Sequence, residues 1–265
     1  MHNQKTILIT GAGSGIGRDS AIALAKREHR VIATTHSQQS AKELTDYLHS
    51  HNLEMTVFKL DVTNSSDRNK ILNYDIDVLL NNAGQGESGS LAEIPIDNIR
   101  SDFETNVFGP FELSQLALRK MIKNDNGTVL FVSSLAGRVT MPFLGSYSMT
   151  KFALSSGAEA LRRELKLTTD NVHIALIEPG GYATGFNQKN IAKKYKWMHK
   201  NSYFYPITDQ IKSSEEKYFN RLESRSTRSI VKKIVKACES KNPKLRYSAP
   251  TWQCVGVQLM RMFGR

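Results

Sequence analysis

Four glycines at alternate positions, Gly11, Gly13, Gly15 and Gly17, stand between an apolar β-rich run at 5–10 and a segment of helical periodicity near 15–29. Nothing else in the chain narrows its possible folds as much. Glycine adopts positive φ without strain and lets a ligand approach the main chain closely. The helix that follows points unpaired N–H groups and the positive end of its dipole into the turn. Strand, glycine turn and helix in that order open a βαβ unit suited to an anionic group such as a pyrophosphate. The pattern reads T-G-x-x-x-G-x-G from Thr10 to Gly17, with Ile16 where a strict G-x-G-x-x-G needs glycine. Placement between strand and helix, not the number of glycines, carries the reading.

The alternation continues. Further β-rich runs lie at 30–34, 54–60, 76–81, 127–133 and 172–177, and helical patterns near 38–51, 97–123 and 147–168. This order predicts an α/β fold, a Rossmann-type doubly wound parallel sheet with helices on both faces, because right-handed crossovers leave few other arrangements. The polar connection at 61–75 leaves room for a helix of about two turns. Gly109-Pro110, inside the 97–123 pattern, predicts a kink or a break. A helix near 227–240, a strand at 245–247 and an amphipathic segment at 250–265 follow. With no repeat and no linker, residues 1–265 read as one domain.

Charge is concentrated late in the chain. Residues 185–265 carry 18 Lys and Arg against 5 Asp and Glu, whereas the whole chain is at +11. A basic surface of this kind attracts acidic substrates, anionic lipid or nucleic acid, or is simply solvated. No nucleic-acid module accompanies it, so no nucleic-acid partner is expected. Two cysteines, Cys238 and Cys254, call for neither a disulfide framework nor a metal. The first strand begins where a secretory signal would lie, and no apolar run nears the roughly 20 residues of a membrane span. A cytoplasmic location is expected.

The ends of the strands hold the next signals, since open α/β sheets bind ligands there. An acidic residue after the second strand would hold the ribose hydroxyls of NAD. The stretch Ala33-Thr34-Thr35-His36-Ser37 has none, and no carboxylate occurs before Glu43. That favours NADP(H) over NAD(H), with Thr35, His36, Ser37 and Arg18 near the 2′-phosphate. Asp61-Val62 follows the third strand, where an Asp can accept from an adenine amine. Asn81-Asn82-Ala83-Gly84 ends the fourth, a small turn against which a ribose can lie.

Tyr147 and Lys151 are four apart in a helical pattern, so they share a face. A phenol is a poor acid–base catalyst at neutral pH, and a neighbouring ammonium favours its phenolate. Ser134 lies thirteen residues upstream of Tyr147, at the end of the fifth strand, placed to hold a reacting oxygen beside the phenol.

In these motifs, from about Lys5 to Thr184, the chain resembles the short-chain dehydrogenase/reductase family, and within it the hydroxysteroid and retinol dehydrogenase-like group. The resemblance implies an NAD(P)-dependent oxidoreductase. It assigns Thr10, Gly11, Ser14, Gly15, Ile16 and Gly17 to the cofactor loop, Asp61 and Val62 to the adenine, and Asn82, Ala83 and Gly84 to the ribose side. Ser134, Tyr147 and Lys151 match the catalytic triad, and Asn106 the fourth catalytic residue, which holds a relay water. Lys151 and Tyr147 also match cofactor contacts. Pro179, Gly180 and Thr184 match the loop that turns the carboxamide.

The expected reaction moves a hydride between the nicotinamide and a carbonyl or secondary alcohol of a small apolar substrate. Gln85, Ser134, Leu135, Phe143, Leu144, Tyr147 and Phe186 are expected to line the pocket, with the aromatic, basic segment 186–226 as a lid. Two alternatives stand beside this: a reductase of 3-oxoacyl thioesters on a carrier protein or coenzyme A, and a non-catalytic nucleotide-sensing interaction protein. The family leads one to expect a homodimer or homotetramer through the helices at 97–123 and 147–168. The 250–265 segment fits packing against the body or a second subunit better than peripheral membrane contact.

Overall fold

The computed structural model describes residues 4–263. Its sheet has seven parallel strands in the order β3-β2-β1-β4-β5-β6-β7. These are β1 (Thr6–Ile9), β2 (Arg30–Thr35), β3 (Thr56–Lys59), β4 (Val78–Asn81), β5 (Gly127–Val132), β6 (Val172–Pro179) and β7 (Arg246–Ala249). Strand order reverses between β1 and β4, and a ligand crevice forms at such a switch point.

The central strands read as unbroken apolar runs because both faces of the sheet are covered. Successive side chains go to opposite faces. Ile7, Ile9, Val78, Leu80, Ala175 and Ile177 pack with Leu24 of α1 (Gly15–Ala25), Leu44 and Leu48 of α2 (Gln38–Ser50) and a later helix carrying Ile230 and Ile234. Leu8, Leu79, Ile174 and Leu176 face the other way, onto Leu113, Leu118, Leu154 and Ala158.

Between β3 and β4, α3 (Ser65–Asn69) runs into a 3-10 turn at Lys70–Asn73, the short connection the spacing predicts. The 97–123 pattern is resolved into α4 (Ile96–Phe103), a π-helical turn at Glu104–Phe108 and α5 (Gly109–Lys123). The helix widens at the predicted kink and does not stop. Pro110 has no N–H to give the Asn106 carbonyl, and the wider turn absorbs that lost bond. Then α6 (Gly145–Leu165) carries the Tyr147–Lys151 pair.

After β6 come α7 (Phe186–Ile191), α8 (Thr208–Leu222), α9 (Arg228–Glu239) and α10 (Thr251–Met262). Amphipathic α9 buries Ile230, Ile234 and Ala237 on the sheet. In contrast α10 buries none of its residues. Packing of its apolar face against the body, one of the expectations for this segment, is not what the fold does: Trp252, Val255 and Leu259 stay about half exposed. The helix is held by its polar side, where the Gln253 amide accepts from Gly181 N–H and donates to the Leu222 carbonyl, each at 2.7 Å. Arg265 of the predicted segment lies outside the described residues. Among the described residues no helix is long and apolar enough to cross a membrane.

Candidate active site

The glycine turn closes onto the end of β4. Gly11 has φ +65°, and a Cβ there would lie 2.7 Å from Ala83 Cα. At Gly17 a Cβ would meet Asn82 Nδ2 at 2.4 Å and the Gly11 carbonyl at 2.5 Å. Thr10 stitches the two segments, its hydroxyl accepting from the N–H groups of Asn82 at 3.0 Å and Ala83 at 2.9 Å. Asn82 answers by donating to the carbonyls of Thr10 and Gly11. Ser14 begins α1 without a side-chain capping bond, and the first turn holds no acidic residue. The mouth of the turn therefore offers N–H groups and a hydroxyl with no competing anion, a donor set that suits a pyrophosphate. Thr184, from the loop after β6, packs over Gly15 and borders the same mouth.

At the end of β2, Thr35 is buried and His36 exposed. The Ser37 hydroxyl caps α2, accepting from Ser40 N–H at 3.1 Å. The Arg18 guanidinium lies over the Tyr47 ring, 4.8 Å from its centroid, and its buried Nε has no partner. Asp61 turns one carboxylate oxygen to Thr63 N–H and hydroxyl at 2.9 and 2.7 Å, beside buried Val62.

Ser134, at the end of β5, accepts from Ala136 N–H and donates weakly to the Pro179 carbonyl at 3.4 Å, and it is close enough to the Tyr147 phenol to act on its titration. Neighbouring Ser133 is spent on structure, bonded to the Lys151 carbonyl and to Ser155. Lys151 is buried, its Nζ donating to the Val132 carbonyl at 2.9 Å and standing 5.6 Å from the Tyr147 ring centroid. Buried Asn106, in the π-helical turn, accepts from Gln85 N–H at 2.9 Å and donates to the Gln85 carbonyl at 2.7 Å and to Thr150 at 3.0 Å. A Cβ on Gly84 would lie 3.2 Å from Asn106 Oδ1 and 3.7 Å from Lys151 Nζ, so these groups meet around one point beside the turn at Asn82-Ala83-Gly84.

The titrations differ from the expectation that Lys151 lowers the phenol. Burial pushes Tyr147 up to about 12, with the neighbouring Ser134 hydroxyl opposing and the charge of Asp102 adding. Burial pulls Lys151 down to about 8, Asp102 opposing. Removal from water disfavours both charged forms, and that effect dominates both shifts.

Sequence reasoning missed Asp102, which is fully buried one turn before Asn106. The i, i+4 spacing to Asn106 was the available signal. Of the predicted pocket residues, Phe186 sets its ring 5.9 Å from that of Tyr147, and Leu135 is buried beside Ser134. Phe143, at φ +62°, packs edge-on against Phe204 at 5.2 Å. Positive φ is a strained conformation for a bulky residue. Leu144 bridges to Gly89, and the Gln85 side chain turns to Ser101.

A glycine turn at the switch point of a doubly wound sheet defines a dinucleotide-binding architecture. The family model described as short chain dehydrogenase matches residues 5–195, and the chain belongs to the short-chain dehydrogenase/reductase family. It is 35% identical over 192 residues to YusZ, an uncharacterized oxidoreductase of Bacillus subtilis, covering 69% of this chain and 66% of the relative. It is 33% identical over 197 residues to retinol dehydrogenase 8 of Homo sapiens, covering 71% of this chain and 62% of that one. The chain thus spans about two thirds of the length of these relatives. A Burkholderia phymatum short chain dehydrogenase/reductase in complex with NAD superimposes with TM-score 0.82 at 20% identity, over 98% of this chain and 94% of that one.

Proposed function

We propose that the chain reduces the carbonyl of an apolar substrate with NADPH, Tyr147 acting as general acid. The observation that carries this is the convergence of Tyr147, Lys151 and Asn106 beside Gly84, next to the glycine turn, with Ser134 at the end of the neighbouring strand. The cofactor's place is supported by the close-packed turn at Gly11 and Gly17 and by the donor set at the start of α1. A bound nicotinamide supplies the hydride. The chain's own residues do the rest. Tyr147, protonated at neutral pH, is in the state a proton donor needs. The Ser134 hydroxyl donates to the oxygen on which negative charge develops. Lys151 holds an exchangeable proton beside the phenol, and Asn106 anchors the Gln85 main chain next to it.

For NADP over NAD, the support is the lack of a carboxylate at 33–37 together with Arg18 poised over Tyr47. Its buried Nε has no hydrogen-bond partner, whereas Ser37 already caps a helix. An apolar substrate is supported by the Phe186 ring beside Tyr147 and by the Phe143–Phe204 ring pair, and the name of the retinol dehydrogenase relative points the same way. We read 186–226 as the lid. It is fastened to the body by Lys193–Glu87 at 2.7 Å and by Ser88 donating to the Asn190 carbonyl at 2.9 Å. The thioester alternative needs free lid cations, and two of them are engaged: Lys193 with Glu87, and buried Lys194 with Glu215. A nucleotide sensor has no use for the proton set.

Tyr147→Phe tests the reading. The variant is expected to bind NADPH as the parent does, by fluorescence titration, and to lose turnover of ketones at least about 100-fold. Full turnover by the purified variant would refute Tyr147 as the acid.

A further inference from the structure

Asp102 is wholly out of water, and the reaction scheme above gives it no task. Its Oδ2 accepts from Glu87 N–H at 2.8 Å and from the Ser146 hydroxyl at 2.6 Å. Its Oδ1 is buried without a donor. A buried carboxylate with one bare oxygen and no directly paired cation among the described residues is a costly arrangement.

The geometry around it is organised. Asn106 takes the N–H of Gln85 and Asp102 the N–H of Glu87, so two groups one helical turn apart hold alternate residues of the segment after β4. Ser146 directly precedes Tyr147 in the first turn of α6. Asp102 therefore ties α4, the 85–87 segment and the catalytic helix together. Neither hydrogen bond requires a charge, since an amide oxygen accepts both. What only the carboxylate adds is negative charge, in a medium that screens it little.

We propose that Asp102 is a positioning residue that works through Lys151 and Tyr147: its carboxylate seats the first turn of α6 and supplies the counter-charge for the buried Lys151 ammonium. This rests on the reading of Tyr147 and Lys151 as the proton-transfer pair. The charged groups that act on the Asp102 carboxyl are Glu87 from the β4 loop and Lys193 from beyond α7, and its own charge reaches Tyr147 and Lys151 of α6. Glu87 pushes the Asp102 carboxyl up and Lys193 pulls it down, both less than burial, which raises it. Negative charge at Asp102 favours the ammonium and opposes the phenolate, so both groups hold their protons more tightly. Removing that charge releases both protons at lower pH.

The test is an NMR titration of 13Cε-lysine-labelled protein, full chain and without substrate, with Lys151→Arg to assign the signal. Lys151 is expected to titrate near 8. In Asp102→Asn its midpoint is expected to fall by about one pH unit. Ser146→Ala, which removes an anchor but no charge, is expected to leave it in place. An unmoved midpoint in folded Asp102→Asn, or an equal shift in Ser146→Ala, overturns the proposal. If Asp102→Asn does not fold, a 13Cγ-aspartate titration of the unmodified protein decides: an ionised Asp102 at neutral pH supports it, a protonated one overturns it. The pH profile of kcat for ketone reduction is expected to move down with Lys151. The NMR readouts need no turnover, so failure of the oxidoreductase reading would show separately, as an inactive parent protein.

Discussion

Lys151 carries an ammonium into a place almost free of water. In an unfolded chain that group keeps its proton to about pH 10.4. Folded, it gives it up near 8, because burial penalises the charge more than Asp102 supports it. Between those values the unfolded chain binds more protons, so stability rises with pH across the window; below it the cost of the buried charge is constant. Lys151→Met has no such group. Denaturation at about pH 7.5 and about pH 9.5 is expected to show the parent gaining on the variant by up to about 2 kcal/mol at the higher pH. A constant difference would mean that Lys151 is not depressed. The same desolvation keeps Tyr147 protonated at neutral pH, the state the proposed donor role needs.

Among the elements, the glycine turn and the π-helical turn set the site. Gly17 lies in the first turn of α1 where a Cβ would run into Asn82 Nδ2 and the Gly11 carbonyl, so even a methyl group must displace the β4 loop. Gly17→Ala is expected to cost about 1–3 kcal/mol in chemical denaturation and to weaken NADPH binding in the same preparation. Unchanged affinity would show that the turn does not hold the pyrophosphate. The π-helical turn belongs to the same logic. Pro110 widens the helix just where Asn106 must reach Gln85 and Thr150. The dipeptide was visible in the sequence as a disruption, but its outcome was not. Whether a proline breaks, kinks or widens a helix depends on what packs around it, here α6 and the segment after β4.

At the scale of the whole molecule, apolar side chains remain open on the helices expected to join subunits. Phe108, at the end of the π-helical turn, and Met149 and Phe152, on α6, are each more than two-fifths exposed. With them as the contact, Phe152→Glu is expected to shift the protein to a smaller species in sedimentation analysis and to leave its secondary structure intact. An unchanged sedimentation coefficient would remove this face as the interface. The basic C-terminal third is not one uniform field, since Lys193, Lys194 and Arg246 are committed to ion pairs with Glu87, Glu215 and Glu178.

The sequence by itself determined what depends on neighbours a few residues apart. Strand and helix periodicities gave the doubly wound sheet, backbone freedom at Gly11 located the turn, and i, i+4 spacing put Tyr147 and Lys151 on one face. Tertiary structure alone decided the strand order around the switch point, the burial that moves Tyr147 up and Lys151 down, and the placement of Asp102 against Ser146 and Glu87. It also left the apolar side of α10 outside the core. Those outcomes depend on loss of water and on contacts between segments far apart in the chain, and a local pattern carries no record of either.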